Sequence, residues 1–171
     1  MEKGPRAGSI FAYAKKWEAM AGAFTGVQRY LYNLYAKSKK RNWVRNPNWD
    51  GWKNDIEGSI AEMMFAKFRR QYWDFNVYTK RDRRLFKAGD VGGFEVRWTE
   101  RLNGSLILRT DDSPGSYFVL VVGECPNYWI VGWIKAVDGM KDEYLDAPHD
   151  GPESWFVPQS ALTLFKTKGE Q

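Results

Sequence analysis

The chain has 171 residues, 43% of them hydrophobic and 27% charged, a size and balance that suit one domain able to bury its own core. A single cysteine, Cys125, excludes an internal disulfide framework, and with only one histidine a Cys/His zinc site is excluded as well. No apolar run is long enough to cross a bilayer and the opening MEKGPRAGSIFAYAKK has no signal-peptide core, so the sequence predicts a cytoplasmic protein without a membrane partner; its formal charge of +5 favours an anionic one.

Residues 1 to about 10, with Gly4, Pro5 and Gly8, read as a loose start. From Phe11 to Ser38 the apolar positions Trp17, Met20, Phe24, Val27, Leu31 and Leu34 recur at steps of three and four, which predicts an amphipathic helix. Gly22 and Gly26 weaken its middle, so one helix or two short ones fit. Its apolar side would serve either as a dimer interface or as a cover for the sheet. In KSKKRNWVRNPNWDGW, cations at Lys37, Lys39, Lys40, Arg41 and Arg45 alternate with Trp43, Trp49 and Trp52, and Pro47 and Gly51 mark a loop. A second helix is predicted over about Trp52 to Tyr72, with Asp50 placed to cap it. Glu62 lies off the centre of its apolar side, and small Ser59 and Ala66 allow close approach to a sheet.

Strand signals follow at Phe75 to Thr79, around Phe94 to Trp98, and at Ser105 to Thr110, Ser116 to Gly123 and Tyr128 to Ala136. SYFVLVVG is apolar on both faces, the pattern of a central strand covered on both sides. Asp111 to Gly115 and Cys125-Pro126-Asn127 are turns by their chemistry. Val137 to Glu153 reads as a long loop, Trp155 to Val157 as a short strand and Pro158 to Phe165 as a turn or short helix. The sum is an α/β fold, a central mixed β-sheet flanked by helices. Residues 1–50 read as a helical extension with a basic, Trp-rich loop and 51–171 as the main unit, the whole forming one compact body.

The chemistry concentrates in Ala88 to Trp98, AGDVGGFEVRW. Strand alternation puts Glu95 and Arg97 on one face and Phe94, Val96 and Trp98 on the other. A turn or bulge at Gly92-Gly93 would swing Asp90 back towards Glu95. Two carboxylates beside a cation suit a divalent metal and phosphate chemistry.

Asp90 followed by Glu95-Val96-Arg97 resembles the motif of the PD-(D/E)xK nuclease superfamily, in which an Asp precedes a Glu/Asp-x-Lys strand. EGSIAEMMFAKF, Glu57 to Phe68, resembles the helix that carries a further acid, and YWIVGWI and SWFVPQSAL resemble downstream strands of small phage-type members, so the likeness runs from about Trp52 to Leu164. It implies a restriction-endonuclease-like core in 51–171 and a metal-dependent endonuclease acting on DNA, of phage or mobile-element origin, working in the cytoplasm of the host. It also implies Mg2+ or Mn2+ held by Asp90, Glu95, the Val96 carbonyl and Glu62. Arg97 stands where most of the superfamily has Lys; arginine stays protonated, so it would position a phosphate or offset charge and would not act as a base.

For nucleic-acid contact there are two basic runs, Lys39, Lys40, Arg41 and Arg45 in the first and Lys80, Arg81, Arg83, Arg84 and Lys87 in the second, which abuts Asp90. Trp43, Trp49 and Trp52 would stack on bases if exposed, but read first as core. Two other readings stay open: a catalytically inactive nucleic-acid-binding protein on the same fold, and an interaction protein whose aromatics bury a partner. His149 reads as a turn residue, Asp111 as a turn residue at the periphery of the site and Cys125 as inert; Gln159 has no assigned role.

Overall fold

The computed structural model describes residues 4–35, 51–77, 89–147 and 152–166. The first element is a strand, β1 (Ile10–Tyr13), not the start of a helix. Its IFAY alternates in burial and pairs antiparallel with β5 (Asn127–Lys135), Ile10 opposite Ile130. The described residues before it, 4–9, are not loose either. The Arg6 main chain donates to Gln159 Oε1 at 2.8 Å, and its Nη1 donates to the carbonyls of Gln159 and Leu162 at 2.8 and 2.6 Å. Gln159 Nε2 in turn donates to Leu102 and Gly104 at 2.8 and 3.0 Å. Gln159 therefore ties three segments together, which gives it a structural role.

Helix α1 (Lys16–Tyr35) is a single helix. Glu18 accepts the Lys15 N–H at 2.7 Å, the acidic half of a capping box, and also holds Lys67 Nζ at 2.8 Å. The two glycines do not break α1; they let it close on α2 (Gly51–Arg69). A Cβ at Gly22 would lie 2.7 Å from Ile60 Cγ1, and one at Gly26 would lie 2.4 Å from Ile56 Cα. The residues α1 buries are Glu18, Gly22, Thr25 and Gly26, while of the predicted apolar stripe Trp17, Met20, Phe24 and Leu34 are exposed and Val27 and Leu31 half-buried. Ser59 to Ala66 of α2 are buried without a break, between α1 and the sheet. The Asp50 cap falls outside the described residues. α2 ends before the predicted Tyr72: Arg70 turns into the left-handed region at φ 53°, and Gln71 N–H reaches back to the Ala66 carbonyl at 2.9 Å. No strand forms at Phe75–Val77, and the rest of that predicted strand lies outside the described residues.

The main sheet also contains β2 (Phe94–Thr99) and β4 (Tyr117–Glu124), in the order β1-β5-β4-β2. It is mixed, because β2 runs parallel to β4 while the other pairs are antiparallel. β4 is central and divides the interior. Val119 and Val121 pack towards Ile60, Met64 and Phe65 of α2, whereas Phe118, Leu120 and Val122 pack towards Leu106, Leu108 and Val157. That second layer is a small sheet of β3 (Leu106–Arg109), β7 (Ser154–Val157) and β6 (Leu145–Asp146), in the order β3-β7-β6. The fold is thus α/β with a mixed sheet; among the described residues the two long helices cover one face, and the small sheet with a short helical turn covers the other. The long loop predicted after β5 holds a helical turn, α3 (Ala136–Gly139), a 3-10 turn at Asp142–Tyr144 and β6. A further 3-10 turn, Gln159–Ala161, follows β7.

Candidate functional site

Asp90 is positioned by a two-residue hairpin turn. Val91 and Phe94 exchange main-chain hydrogen bonds at 3.1 and 3.0 Å, and Gly92 and Gly93 between them take φ of 55° and 85°. Left-handed backbone at both positions is what a tight hairpin needs and what glycine supplies. A Cβ at Gly92 would meet only the end of the exposed Gln71 side chain, which can turn aside, so it is the positive φ that favours glycine there. The fold-back lets Asp90 Oδ2 accept the Val96 N–H at 2.8 Å. The other Asp90 oxygen accepts no hydrogen bond from a described residue.

Burial holds the Asp90 carboxyl well above the ordinary carboxylate range, and the negative charges of Glu62 and Glu95 push it further; the Val96 N–H and Arg29 oppose them. Glu62 from α2 and Glu95 from β2 are therefore each near enough to Asp90 for their charge to act on it. Yet among the described residues no three His, Cys, Asp or Glu side chains are grouped closely enough to hold a metal ion as they stand.

Glu62 is buried and fully engaged. Arg29 of α1 grips it with both terminal nitrogens, at 2.6 and 2.8 Å, and Trp73 Nε1 donates to it at 3.2 Å. Arg29 Nε donates to the Asn76 carbonyl at 2.9 Å. That carbonyl belongs to a tight segment: Asp74 accepts from Asn76 N and Nδ2 at 3.1 and 2.7 Å, and Phe75 between them sits at φ 54°, its ring 4.5 Å from that of Trp73. A bulky side chain at positive φ is a strained conformation that its surroundings must impose. For the Arg29 guanidinium, the lowering effect of burial is outweighed by Glu62, then Asp90 and Asp74, so its charge is held more firmly than usual.

Among the described residues, the cation set against Glu62 and Asp90 is Arg29, which the sequence reading passed over. Arg97 makes other bonds: Nη2 donates to Asp112 Oδ1 at 2.6 Å, the guanidinium lies 4.9 Å from the Phe118 ring centre, and Nε is buried without a partner. Asp112 also accepts the Arg109 N–H at 2.8 Å. Strand alternation thus placed Arg97 on a face but gave no clue to Asp112, fifteen residues on. A sequence signal for Arg29 does exist. Gly22, Thr25, Gly26 and Arg29 recur at i, i+3, i+4 and i+7, a stripe of small residues that leads to one cation on the closely packed face.

Val96 meets Asp90 through its N–H. Trp52, read as core, is instead 39% exposed and stacks on Tyr30, ring centres 4.2 Å apart. Trp43, Trp49, His149 and both basic runs, Lys39, Lys40, Arg41 and Arg45 with Lys80, Arg81, Arg83, Arg84 and Lys87, lie outside the described residues. Asp111 is exposed in its turn. A comparison with protein-family models, curated proteins and solved structures finds no match to this chain.

Proposed function

We propose that the chain is a metal-dependent nuclease that hydrolyses phosphodiester bonds in DNA, an endonuclease of phage or mobile-element type built on a restriction-endonuclease-like core. The observation that carries this reading is Asp90: a carboxyl folded back by a glycine hairpin, withdrawn from water and crowded by Glu62 and Glu95. Like charges gathered at such a cost are a mark of functional sites, and a bound cation relieves the cost. Asp90, whose second oxygen accepts no hydrogen bond among the described residues, and Glu95 are the residues that would hold Mg2+ or Mn2+. When bound, the ion neutralises phosphate charge and makes its water a better nucleophile. Glu62, with three donors already on it, serves as the anchor for Arg29 and not as a direct ligand. Arg29, fixed by Glu62 and Asn76, presents a permanent cation to a phosphate entering beside Asp90. The basic run that ends at Lys87, two residues before Gly89, reaches the same place along the chain and would grip the flanking backbone.

The test is cleavage of supercoiled, single-stranded and branched DNA with Mg2+ or Mn2+. Nicking by the wild type should vanish in Asp90→Asn and Glu95→Gln, and should fall further in Arg29→Lys than in Arg97→Lys. Retained nicking in both acid variants would refute the assignment. The engagement of Arg97 by Asp112 favours one second reading, a catalytically silent nucleic-acid-binding protein. It predicts salt-sensitive DNA binding with no cleavage on any substrate.

A further inference from the structure

The stripe Trp17, Met20, Phe24, Val27, Leu31 and Leu34 lies on the side of α1 opposite the one packed on α2. Its steps alternate strictly between three and four residues, so Trp17, Phe24 and Leu31 take one seam position of a heptad and Met20, Val27 and Leu34 the other. Trp17, Met20, Phe24 and Leu34 are 61, 63, 66 and 50% exposed. Val27 and Leu31 between them are half-buried. A helix packed on one face has no need of apolar residues on the other, and single exposed apolar residues are ordinary, but four exposed on one seam are not.

We propose that this face of α1 pairs with α1 of a second copy of the chain, forming a two-fold dimer across a coiled-coil-like seam. A heptad seam is self-complementary: its side chains stand at the spacing that fits the holes of another helix with the same repeat. The flanking positions, Lys16, Ala23 and Tyr30 on one side and Ala21 and Gln28 on the other, hold one charge, so nothing repels a like copy. The area suffices. Buried aromatics cover roughly 150–250 Å2 each, so with the four aliphatic residues and their mirror images the seam reaches about 1,200 Å2, the lower bound for a specific interface. A membrane surface fits less well, because interfacial helices set a charged face against the apolar one. Here that face is buried on α2, and the basic residues of α1 are only Lys16 and Arg29, the latter bound to Glu62. The dimer does not depend on the nuclease reading, and it would place the two Arg29–Glu62 pairs on the outer flanks of the helix pair.

The experiment is light scattering and sedimentation of the full chain across the micromolar range. The wild type should have twice the 19.9 kDa of one chain, with a melting temperature that rises with protein concentration. Phe24→Glu and Met20→Glu should halve the mass and remove that dependence while keeping the helical circular dichroism, since both side chains are exposed. Val137→Glu, at an exposed apolar position on α3, should remain dimeric. A monomeric wild type would overturn the proposal, as would a Phe24→Glu variant that stays dimeric. A monomer that floats with phospholipid vesicles would replace it with a membrane-facing surface.

Discussion

Adding one methyl group at Gly26 tests how the molecule is assembled, because it sets two known effects against each other. In an open helix, glycine to alanine gains about 0.5–1 kcal/mol. At Gly58 of α2 a Cβ would meet nothing within 4 Å, so Gly58→Ala should show that gain. At Gly26 the same Cβ would sit 2.4 Å from Asp55 O and Ile56 Cα, and 2.6 Å from Ile56 N. All three are main-chain atoms, which cannot rotate aside, so α1 must lift from α2. Overpacking of this kind costs about 1–3 kcal/mol, and rigid neighbours place it near the top of that range. After the propensity gain, Gly26→Ala should lose about 1–2 kcal/mol, and the two variants should differ by about 2–3 kcal/mol. For a chain of this size that is a gap of about 5–10 °C in melting temperature. Urea unfolding with unchanged slopes would confirm that stability alone has moved. If Gly26→Ala were as stabilising as Gly58→Ala, the helices would not be in contact at these glycines and the account of α1 would fail. The substitution also reaches the site, since Arg29 is one turn further along α1. On the nuclease proposal, any loss of cleavage in this variant should therefore exceed what the loss of folded protein explains.

Arg29→Met removes the partner of a buried carboxylate, and stranding such a charge costs about 3–5 kcal/mol; adding Glu62→Gln should recover a large part of it in a double-mutant cycle by urea unfolding. Asp90→Asn should stabilise the fold at neutral pH. The folded Asp90 titrates well above its ordinary 3.8 while the unfolded one does not, so the stability that its protonated form contributes is complete below 3.8 and is lost as pH rises towards the folded value. The variant carries no such loss. Melting temperatures measured from acid to neutral pH should thus begin together and diverge upward for Asp90→Asn; curves that stay parallel would show that Asp90 bears no electrostatic strain.

Some of this architecture was legible because single residues enforce it. Two glycines between Asp90 and Glu95 allow little but a tight reversal, and SYFVLVVG could only be a strand with both faces covered. What covers the second face was not legible: the strands around 106–109 and 155–157 could be read, but nothing in either shows that they pair with each other into a separate layer, and β6, with two residues, is too short for alternation to stand out. At the amino terminus the strand gives way to the helix between Tyr13 and Lys16, and a four-residue strand is too short for its alternation to stand out from the helical period that follows. The strand is revealed by its partner β5, more than a hundred residues away.

The larger lesson concerns which side of a helix is inside. Apolar periodicity found α1 but left open whether its apolar side meets the sheet or another chain, because hydrophobicity measures what gains by leaving water, not which partner it meets. Gly22, Thr25 and Gly26 have little apolar surface to offer; what they offer is approach, and that approach brings Arg29 within reach of Glu62. A larger residue at any of them would favour the other face and draw the guanidinium away from the acids. The small stripe and the large one therefore divide the labour of α1. The first sets the distance to α2 on which the candidate site depends, and the second remains on the surface, with the spacing of a helix pair.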